Sequence, residues 1–319
     1  MRDTFPRVSL GMPVFNAEQH IEEAIESLLA QSFGDFEIVI SDNASTDGTE
    51  EICRTYVTKD DRIRYFRNRA NYGPIHNFNT VFRLSHGEYF KWCSSDDVCA
   101  PDYLRRAVEE LDGDPSLVLV FSLIEGIDEE SRRGKFLPGQ ITDQDSPDSV
   151  SSPDPVIRFR KLVRHIWWVD AAFYGLMRAQ VLSQTSLHRY QRSGDQLLVT
   201  EMALKGRLYE IPEVMFFSRY HSNKTSARQK SHRQRAELIE NRTLGRGLNA
   251  WWKTVRGHPM RIVAYASFVH HAELSPRQRL VCYYEIGRSI AWWMRLRIYR
   301  ALSRVASVEW LRPEYPPRG

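Results

Sequence analysis

Short apolar runs alternate with helical segments over the first 125 residues, and this alternation limits the folds open to the chain more than any other feature. Residues 8–12 and 36–41 are apolar enough to form strands that are buried on both faces. Between them, apolar residues recur at the spacing of one helix face: Ile21, Ala24, Ile25, Leu28 and Leu29. Strand, helix and strand in succession predict a doubly wound, mostly parallel α/β sheet with right-handed crossovers.

The same periodicities place elements over the rest of the chain. Further strands are predicted at residues 63–66, 88–93, 117–121, 172–177, 208–211 and 214–220. Further helices are predicted at residues 77–84, 103–111, 156–166 and 195–205. Residues 129–155 are rich in Gly, Pro, Ser and Asp and are predicted to form a long, mobile loop. From residue 228 onward the pattern is almost entirely helical.

The composition is ordinary for a soluble protein, with 42% hydrophobic, 12% aromatic and 26% charged residues. The four cysteines form no CxxC pair, which predicts reduced thiols rather than a disulfide or zinc framework. The first residues lack the apolar run of a signal peptide, and the chain has no uninterrupted apolar stretch of about 18 residues. We therefore expect a cytoplasmic protein, either free or peripheral on the inner face of the membrane.

Charge is divided unevenly along the chain. Residues 228–319 contain 18 Lys and Arg against 6 Glu and no Asp, whereas residues 1–227 contain 26 Lys and Arg against 34 Asp and Glu. A basic extension suggests an anionic partner such as a membrane surface, and nucleic acid is the weaker candidate because the extension lacks a recognised nucleic-acid-binding motif. Residues 290–305 resemble an interfacial amphipathic helix. The alternative is a helix docked on its own domain, with arginine stems lying along the surface.

Two adjacent carboxylates, Asp96 and Asp97, follow the predicted strand at 88–93 and precede the helix at 103–111. In an open α/β sheet, ligands bind beyond the carboxyl ends of the strands, so this pair is predicted to lie at the ligand edge. Neighbouring carboxylates repel each other, and a divalent cation with a bound phosphate is one arrangement that stabilises them. A turn that caps the following helix would explain the same pair without a ligand.

Neither of the common nucleotide-binding loops is present, since the chain lacks both a G-x-G-x-x-G turn after the first strand and a Walker A loop. The turn after the first strand instead reads Pro13-Val14-Phe15-Asn16, and the second strand ends at Asp42. A nucleotide at the sheet edge would then be held with Phe15 against the base, while Asp42 accepts a hydrogen bond from the edge of the base. Taken alone, each of these residues is explained equally well by ordinary turn chemistry.

Taken together, these motifs are more specific than any one of them. The segment VSLGMPVFNAEQHIEEAIESLLAQSFGDFEIVISDNASTDGT closely resembles the opening of family-two inverting glycosyltransferases, which have the GT-A fold and move a sugar from a nucleotide-sugar to an acceptor hydroxyl. The resemblance extends from about Val8 to about Ser222, and four motifs follow one another in the family's order. It therefore implies both a fold and a reaction.

The resemblance implies a donor site at the sheet edge. Pro13 and Phe15 match the turn that surrounds the base, and Asp42 matches the acidic residue that reads it. Asn71 and Gly73 match the N-x-G turn that closes over the nucleotide. The residues implied to bind the nucleotide-sugar are Pro13, Phe15, Asn16, Asp42, Asn71, Gly73 and Asp96.

A metal site is implied at the acidic pair, which matches the family's metal-binding motif, usually written DxD. Asp97 would bind a divalent cation, Mn or Mg, while Asp96 would lie towards the ribose and diphosphate. Ser94 stands where many family members have Asp, so the local negative charge is lower here. His221 is a weaker candidate for the metal or diphosphate and Lys224 for the phosphate, because polar residues at a strand end are more often ordinary surface residues.

The family's catalytic base lies at the start of a late helix, commonly as Glu-Asp. Here the corresponding residues are Gly194 and Asp195, so Asp195 keeps the key position and the preceding acid is missing. The resemblance implies Asp195 as the general base, and a plain helix N-cap is the alternative. Trp167, Trp168 and Tyr174 are candidates for a sugar-stacking wall on the acceptor side, although aromatic residues at such positions more often belong to the core.

These expectations describe a metal-dependent inverting glycosyltransferase that uses a UDP- or dTDP-type sugar. The acceptor would be a hydroxyl of a glycan or a lipid-linked molecule, as in bacterial polysaccharide or cell-surface glycan synthesis. Residues 1–128 would form the donor half, 129–227 the acceptor half and 228–319 a basic helical extension. Two other classes stay open: a nucleotidyltransferase, and a non-catalytic nucleotide-sugar-binding module on the same fold.

Overall fold

The structure of the protein, a computed structural model, describes residues 5–136, 149–164, 169–189, 193–220 and 249–302. The strands are β1 (Val8–Val14), β2 (Phe36–Asp42), β3 (Ile63–Arg67), β4 (Tyr89–Trp92), β5 (Val98–Cys99), β6 (Leu117–Ile127), β7 (Arg133–Phe136), β8 (Leu176–Arg178) and β9 (Arg207–Arg219). The helices are α1 (Ile21–Leu29), α2 (Thr49–Lys59), α3 (Pro74–Arg83), α4 (Tyr103–Gly113), α5 (Pro155–Arg164), α6 (Val169–Phe173), α7 (Ala179–Ser183), α8 (Gly194–Lys205), α9 (Asn249–His271) and α10 (Pro276–Leu302).

All of these strands belong to one mixed sheet, in the order β3-β2-β1-β4-β8-β6-β9-β5, with β7 paired to β6. β1 lies parallel to both β2 and β4, β2 lies parallel to β3, and β6 lies parallel to β9. β8 is antiparallel to its neighbours β4 and β6. The predicted α/β sheet is therefore confirmed, and its antiparallel pairs all involve strands that follow β4.

The parallel part of the sheet forms where the sequence is most apolar. Every residue of β2 is buried, as expected for a central parallel strand that is covered on both faces. α1 contributes one apolar face to the same core, made by Ile21, Ala24, Ile25 and Leu28. Four of the five residues predicted to form the helix face are thus buried, and the fifth, Leu29, is partly buried against the same core.

Three predictions beyond residue 128 are wrong in detail. Instead of a strand at 172–177, the chain forms the end of α6 and the short strand β8, because a short apolar run fits either element. The loop predicted at 129–155 contains β7, which pairs antiparallel with β6. Residues 208–211 and 214–220 belong to one strand, β9, whose register against β6 shifts around Pro212, which has no N–H to donate.

The C-terminal helices dock on the second half of the sheet domain. α9 packs on α8 and α10 packs on α5, around a shared apolar cluster. Glu285 of α10 is buried there and forms ion pairs with Arg160 and Arg164 of α5. α10 therefore docks on the domain around Glu285, and of the segment 290–305 Ile290 packs against the same cluster. Whether the rest of that segment docks or meets a membrane stays a prediction.

The other face of α10 is apolar and exposed, and we call Leu280, Tyr283, Tyr284 and Met294 the α10 outer face. Leu280 is 70% exposed and Tyr284 is 62% exposed. Arg277 and Arg295 are exposed on the same helix, while Glu285, the only acidic residue in its sequence, is buried. Residues 303–305 of the predicted interfacial helix lie outside the described residues. Among the helices described, none combines the length and the apolar character needed to cross a membrane.

The four cysteines, Cys53, Cys93, Cys99 and Cys282, are all free and buried. Burial raises the pKa of Cys53, Cys93 and Cys282 to about 12, so these thiols are uncharged at neutral pH. The prediction of unpaired, reduced thiols is confirmed.

Candidate functional site

The carboxyl ends of β1, β2 and β4 meet at one edge of the sheet, because the three strands are parallel neighbours. Pro13 lies opposite Ser41 in the register of β1 and β2. Phe15 is 47% exposed beyond the end of β1, where its ring can stack on a flat ligand. Asn16 has a positive φ of 50°, and its side-chain oxygen accepts a hydrogen bond of 2.9 Å from the N–H of Thr46. The predicted first turn is thus joined to the residues that follow β2.

Asp42 is fully buried, and protein groups already engage its carboxylate. Oδ1 accepts from the N–H and the hydroxyl of Ser45, at 2.8 and 2.6 Å. Oδ2 accepts from the Tyr65 hydroxyl at 2.6 Å and from Arg67 at 2.8 Å. Burial, reinforced by the Asp42 carboxylate, raises the pKa of Tyr65, which therefore remains a donor. Contact with a base would require one of these donors to move, and the base-reading role of Asp42 stays a prediction.

A network of asparagines lies beneath the turn that carries Asn71 and Gly73. Asn43 donates to Asn71 at 2.8 Å, and Asn68 donates to Asn43 at 3.2 Å and to the buried Asn77 at 3.1 Å. Gly73 has a φ of 89°, a conformation that favours glycine. The network fixes the predicted N-x-G turn from below. Sequence reasoning missed its supporting members, although the recurrence of Asn between residues 68 and 79 was an available signal.

The acidic pair lies just after β4, where both of its members are tied to Arg219 at the end of β9. The buried Asp97 accepts the Arg219 N–H through Oδ1 at 2.9 Å. The Asp96 carbonyl accepts Nε of Arg219 at 2.9 Å, and the Asp96 carboxylate accepts from the hydroxyl of Ser94. The N-cap position of α4 is Asp102, so a capping role does not explain the pair.

The oxygen atoms of this pair fit a divalent cation that is held mainly by the phosphates of a ligand. Within the described ranges, no three His, Cys, Asp or Glu side chains are grouped as a cation site. Mg²⁺ usually takes one or two protein carboxylates and completes its coordination with phosphates and water, so such a group is not required. Asp97, with or without Asp96, meets that smaller requirement, because its carboxylate is an oxygen donor fixed in place by β9.

Tyr174 contributes to packing around a buried lysine. Its ring stacks on Phe216 with the centroids 5.6 Å apart, and its carbonyl accepts a hydrogen bond from Lys91. The ammonium of Lys91 also faces the rings of Tyr103 and Phe216, at 4.8 and 4.9 Å from their centroids. These contacts favour the core interpretation of Tyr174 over an acceptor-stacking role. Four other predicted contact residues lie outside the described residues: Trp167, Trp168, His221 and Lys224.

Asp195 lies in the first turn of α8 but does not cap the helix. The N-cap position is Ser193, α8 begins at Gly194, and no side chain forms a capping hydrogen bond. Ser193 has a φ of 63°, a left-handed conformation that residues other than glycine rarely adopt. The Asp195 carboxylate is half-buried and forms no hydrogen bond within the described part of the chain. The N-cap alternative is therefore wrong.

His188, which sequence reasoning missed, lies close to this carboxylate. Its ring packs against the backbone of Gly194 and between the rings of Phe78 and Phe173, at centroid distances of 5.6 and 5.4 Å. Nδ1 is buried without a well-formed hydrogen bond. Burial lowers the pKa of His188, although the negative charge of Asp195 acts in the opposite direction. No motif marks this histidine in the sequence, because only the tertiary fold brings it to Asp195.

Solved structures of the GT-A fold have the same overall arrangement as this chain. TarS from S. aureus, solved with UDP-GlcNAc, aligns with 95% of this chain and 77% of its own, at a TM-score of 0.63 and 16% identity. The mannosyltransferase PcManGT from Pyrobaculum calidifontis, solved with GDP-Man and Mn²⁺, aligns with 96% of this chain and 77% of its own, at a TM-score of 0.54 and 17% identity. At these identities the similarity shows the fold, which is GT-A.

The sequence comparison then narrows the class to a family. Residues 9–179 match the profile of Glycosyl transferase family 2, and because they make up more than half of the chain, the protein belongs to that family. A Campylobacter jejuni relative, named GalNAc(5)-diNAcBac-PP-undecaprenol beta-1,3-glucosyltransferase, is 32% identical over 143 residues, which are 44% of this chain and 45% of that protein. The chain spans less than half the length of several curated relatives that it matches.

Proposed function

We propose that this protein is an inverting glycosyltransferase that moves a sugar from a UDP- or dTDP-type donor to a hydroxyl of a glycan or lipid-linked acceptor. Membership of the family supports sugar transfer, and the names of its relatives support glycan assembly. The observation that carries the proposal is the Asp195 carboxylate, which the fold uses neither as a helix cap nor in any described hydrogen bond. A general base needs a carboxylate of this kind.

The donor is proposed to bind along the edge formed by β1, β2 and β4. The exposed ring of Phe15 would stack on the base, and the turn at Gly73, held by the asparagine network, would close over the nucleotide. Asp42 would accept from the imide N–H that uracil and thymine share, once its bond from Arg67 opens. The UDP-GlcNAc bound to TarS, a protein of the same fold, supports a donor of this type.

Asp97 is the proposed ligand of Mn²⁺ or Mg²⁺, with Asp96 directed towards the ribose and diphosphate and His221 as the weaker second ligand. When bound, the cation supplies Lewis-acid stabilisation of the charge that develops on the leaving diphosphate. The chain contributes by fixing its carboxylate in advance. The N–H of Arg219 holds the Asp97 carboxylate, and the Arg219 side chain holds the neighbouring carbonyl of Asp96.

Asp195 is the proposed general base. It takes the proton of the acceptor hydroxyl as the hydroxyl oxygen attacks the anomeric carbon of the donor sugar. The bond from that carbon to the diphosphate oxygen breaks on the opposite face, and the diphosphate leaves with the bonding electron pair. One displacement therefore inverts the anomeric configuration, and Asp195 afterwards releases its proton to solvent.

The α10 outer face is the proposed contact with an anionic membrane surface on the cytoplasmic side. Exposed apolar side chains beside exposed arginines are typical of a helix that lies in a membrane interface. The opposite face of α10 is docked on α5, so such contact would hold the catalytic domain at the surface. A lipid-linked acceptor would be presented to the enzyme at that surface.

A non-catalytic binding module is the second candidate, and the observation that favours it is Gly194 in place of the acid that commonly precedes the base. Such a module would bind nucleotide-sugars without releasing a nucleoside diphosphate from them. A nucleotidyltransferase is disfavoured, because the chain belongs to a glycosyltransferase family and lacks a glycine-rich first loop.

Calorimetric titration with UDP and dTDP, each with and without Mn²⁺, tests the donor site. Asp97→Asn is the sharpest variant, because its amide oxygen can still accept the Arg219 N–H while it binds cations poorly. We expect Mn²⁺ to strengthen nucleotide binding by the parent protein but not by Asp97→Asn. Asp102→Asn, an exposed change at the N-cap position of α4, is the control and should behave as the parent.

Two results would count against this donor site. If neither nucleotide binds the parent protein with Mn²⁺, the proposed donor is wrong. If Mn²⁺ strengthens binding equally in the parent and in Asp97→Asn, Asp97 does not bind the cation.

A further inference from the structure

Arg219 is fully buried beside the acidic pair, at the end of β9. Arginine stays charged in proteins, so its burial is stable only where its N–H groups are well bonded. Nε donates to the carbonyl of Asp96 at 2.9 Å. Nη1 donates to the carbonyl of Asp128 and to the hydroxyl of Ser131, both at 2.9 Å, and Nη2 donates to the Glu23 carboxylate at 2.6 Å.

The backbone of the same residue fixes the other member of the acidic pair. Its N–H donates to Oδ1 of Asp97 at 2.9 Å. The pair lies between β4 and β5, and β5 is itself paired with β9 through Val98 and Phe217. One residue of β9 therefore holds the peptide of Asp96 with its side chain and aims the carboxylate of Asp97 with its backbone.

The Arg219 guanidinium forms a closed ring of hydrogen bonds with the side chains of Ser131 and Glu23. The hydroxyl of Ser131 donates to Glu23 at 2.6 Å, while Arg219 donates to both of these residues. Glu23 belongs to α1 and Ser131 to the turn between β6 and β7, so the ring joins three separate elements. A flat guanidinium with several fixed donors makes such an arrangement, and a lysine ammonium does not reproduce it.

Packing alone does not explain these bonds. An apolar side chain of similar size commonly fills a buried position at least as well as a charged one. The hydrogen bonds of Arg219 instead meet at the carboxylate and the carbonyl of the two residues assigned to the donor's cation and diphosphate. Hydrogen bonds to the residues that bind a metal hold their binding atoms in the correct orientation. Losing one such bond typically costs about 10–100-fold in metal affinity or activity.

We propose that Arg219 is a positioning residue for the acidic pair, which holds the Asp97 carboxylate and the Asp96 carbonyl in the arrangement that receives the cation and diphosphate of the donor. This inference rests on the proposed function, because it takes Asp97 as the residue that meets those groups. Positioning depends on the flat guanidinium with its several N–H donors as well as on its charge, so lysine is a poor substitute for Arg219.

Binding of UDP and UMP to the full chain, with and without Mn²⁺, separates positioning from folding. Arg219→Lys is expected to reduce the Mn²⁺-dependent gain in UDP affinity by about tenfold or more. Its affinity for UMP, which has no β-phosphate, should stay close to that of the parent. Arg132→Lys is the matched control, because Arg132 lies next to Ser131 in the β6–β7 turn but is 74% exposed, and it should keep the full gain.

The outcomes distinguish this inference from the function on which it rests. A folded Arg219→Lys protein with the parent's Mn²⁺-dependent gain would overturn the inference and leave the proposed donor site standing. If Arg219→Lys does not fold, Glu23→Gln tests the outer end of the same ring, and it should also lower the gain. An unchanged gain in Glu23→Gln would then overturn the inference. A parent protein without any Mn²⁺-dependent gain would contradict the donor site itself, and the inference with it.

Discussion

Asp195 lies in the first turn of α8 with a carboxylate that forms no hydrogen bond in the described part of the chain, whereas the buried Asp42 carboxylate accepts four. A group that already has protein partners must lose one before it can bind a ligand, and that loss offsets the new bond. Asp195 can therefore accept a hydrogen bond from a ligand without losing a described partner, while Asp42 must first release a donor such as Arg67.

His188 gives a prediction for the dependence of stability on pH. Burial lowers its pKa, so the folded protein keeps it neutral where an unfolded histidine, with a pKa near 6.5, takes up a proton. Below about pH 6.5 the unfolded chain binds more protons, so the free energy of unfolding falls as the pH is lowered, by at most about 1.4 kcal/mol per pH unit for one group. Urea denaturation at about pH 7.5 and 5.5 should show a smaller loss in His188→Gln than in the parent.

An exposed histidine provides the control for this measurement. His271 lies exposed at the end of α9, and His271→Gln should keep the parent's loss of stability. The same loss in His188→Gln as in the parent would show that His188 is not held neutral by burial.

Sequence and structure agree best on residues that belong to a motif. Asp97 and Asp195 were predicted through the family resemblance, and the structure places both at the ends of the elements expected to carry them. His188 and Arg219 could not be predicted, because their roles come from burial among residues that are distant in sequence. Nothing in their local sequence distinguishes them from surface residues. Whether these residues carry the proposed chemistry stays a prediction.

At the scale of elements, the sequence predicted well where one pattern was long and unbroken. β1 to β3 and the helix α1 follow from apolar runs and helical spacing. The prediction failed at β7 and β8, which are short strands paired antiparallel to β6. Their pairing is decided by the long neighbouring strand rather than by their own residues, so local periodicity does not reveal it.

The docking of α10 on α5 gives a prediction for the stability of this contact. Glu285→Gln leaves Arg160 and Arg164 facing a neutral amide instead of a buried carboxylate. Breaking a fully buried ion pair costs about 3–5 kcal/mol, and the partial exposure of both arginines lowers the expected loss to roughly 1–3 kcal/mol. The free energy of unfolding, measured by denaturant titration, reports the loss.

Glu273 is the matched control, because it lies between α9 and α10 and is exposed. Glu273→Gln should leave the free energy of unfolding within about 0.5 kcal/mol of the parent. Equal stability of Glu285→Gln and the parent would show that the ion pairs do not hold α10 on the domain.

Over the whole molecule, negative charge prevails in the first 227 residues and positive charge in the rest. This division suggested an anionic partner for the C-terminal helices, but the sequence alone left open whether they dock on the domain or contact a membrane. The structure shows docking through one face of α10 and leaves the α10 outer face exposed. Whether residues 1–128 and 129–227 act as separate donor and acceptor halves stays a prediction.

Vesicle binding tests the role proposed for the α10 outer face. Vesicles that contain phosphatidylserine should bind the protein, and added salt should weaken that binding, because it depends partly on charge. Leu280→Asp combined with Tyr284→Asp should weaken it further by placing acidic groups on the apolar face. Val57→Asp, at an exposed apolar position on α2, should bind as the parent does. Vesicle binding that changes neither with lipid charge nor with salt nor with the two substitutions on α10 would contradict the membrane contact.

Release of nucleoside diphosphate from a panel of UDP- and dTDP-sugars, with water as the acceptor, tests whether the protein cleaves nucleotide-sugars with Asp195 as the general base. Asp195→Asn should fold as the parent does, apart from a loss of about 0.3–1 kcal/mol at the helix N-terminus, because the carboxylate forms no described hydrogen bond. A general base contributes about 10²–10⁴-fold to rate, so we expect release to be at least about a hundredfold slower in Asp195→Asn, with UDP affinity nearly unchanged. Release at the parent rate by folded Asp195→Asn protein would show that Asp195 is not the general base. No release from any donor by the parent would show that the protein does not cleave these nucleotide-sugars.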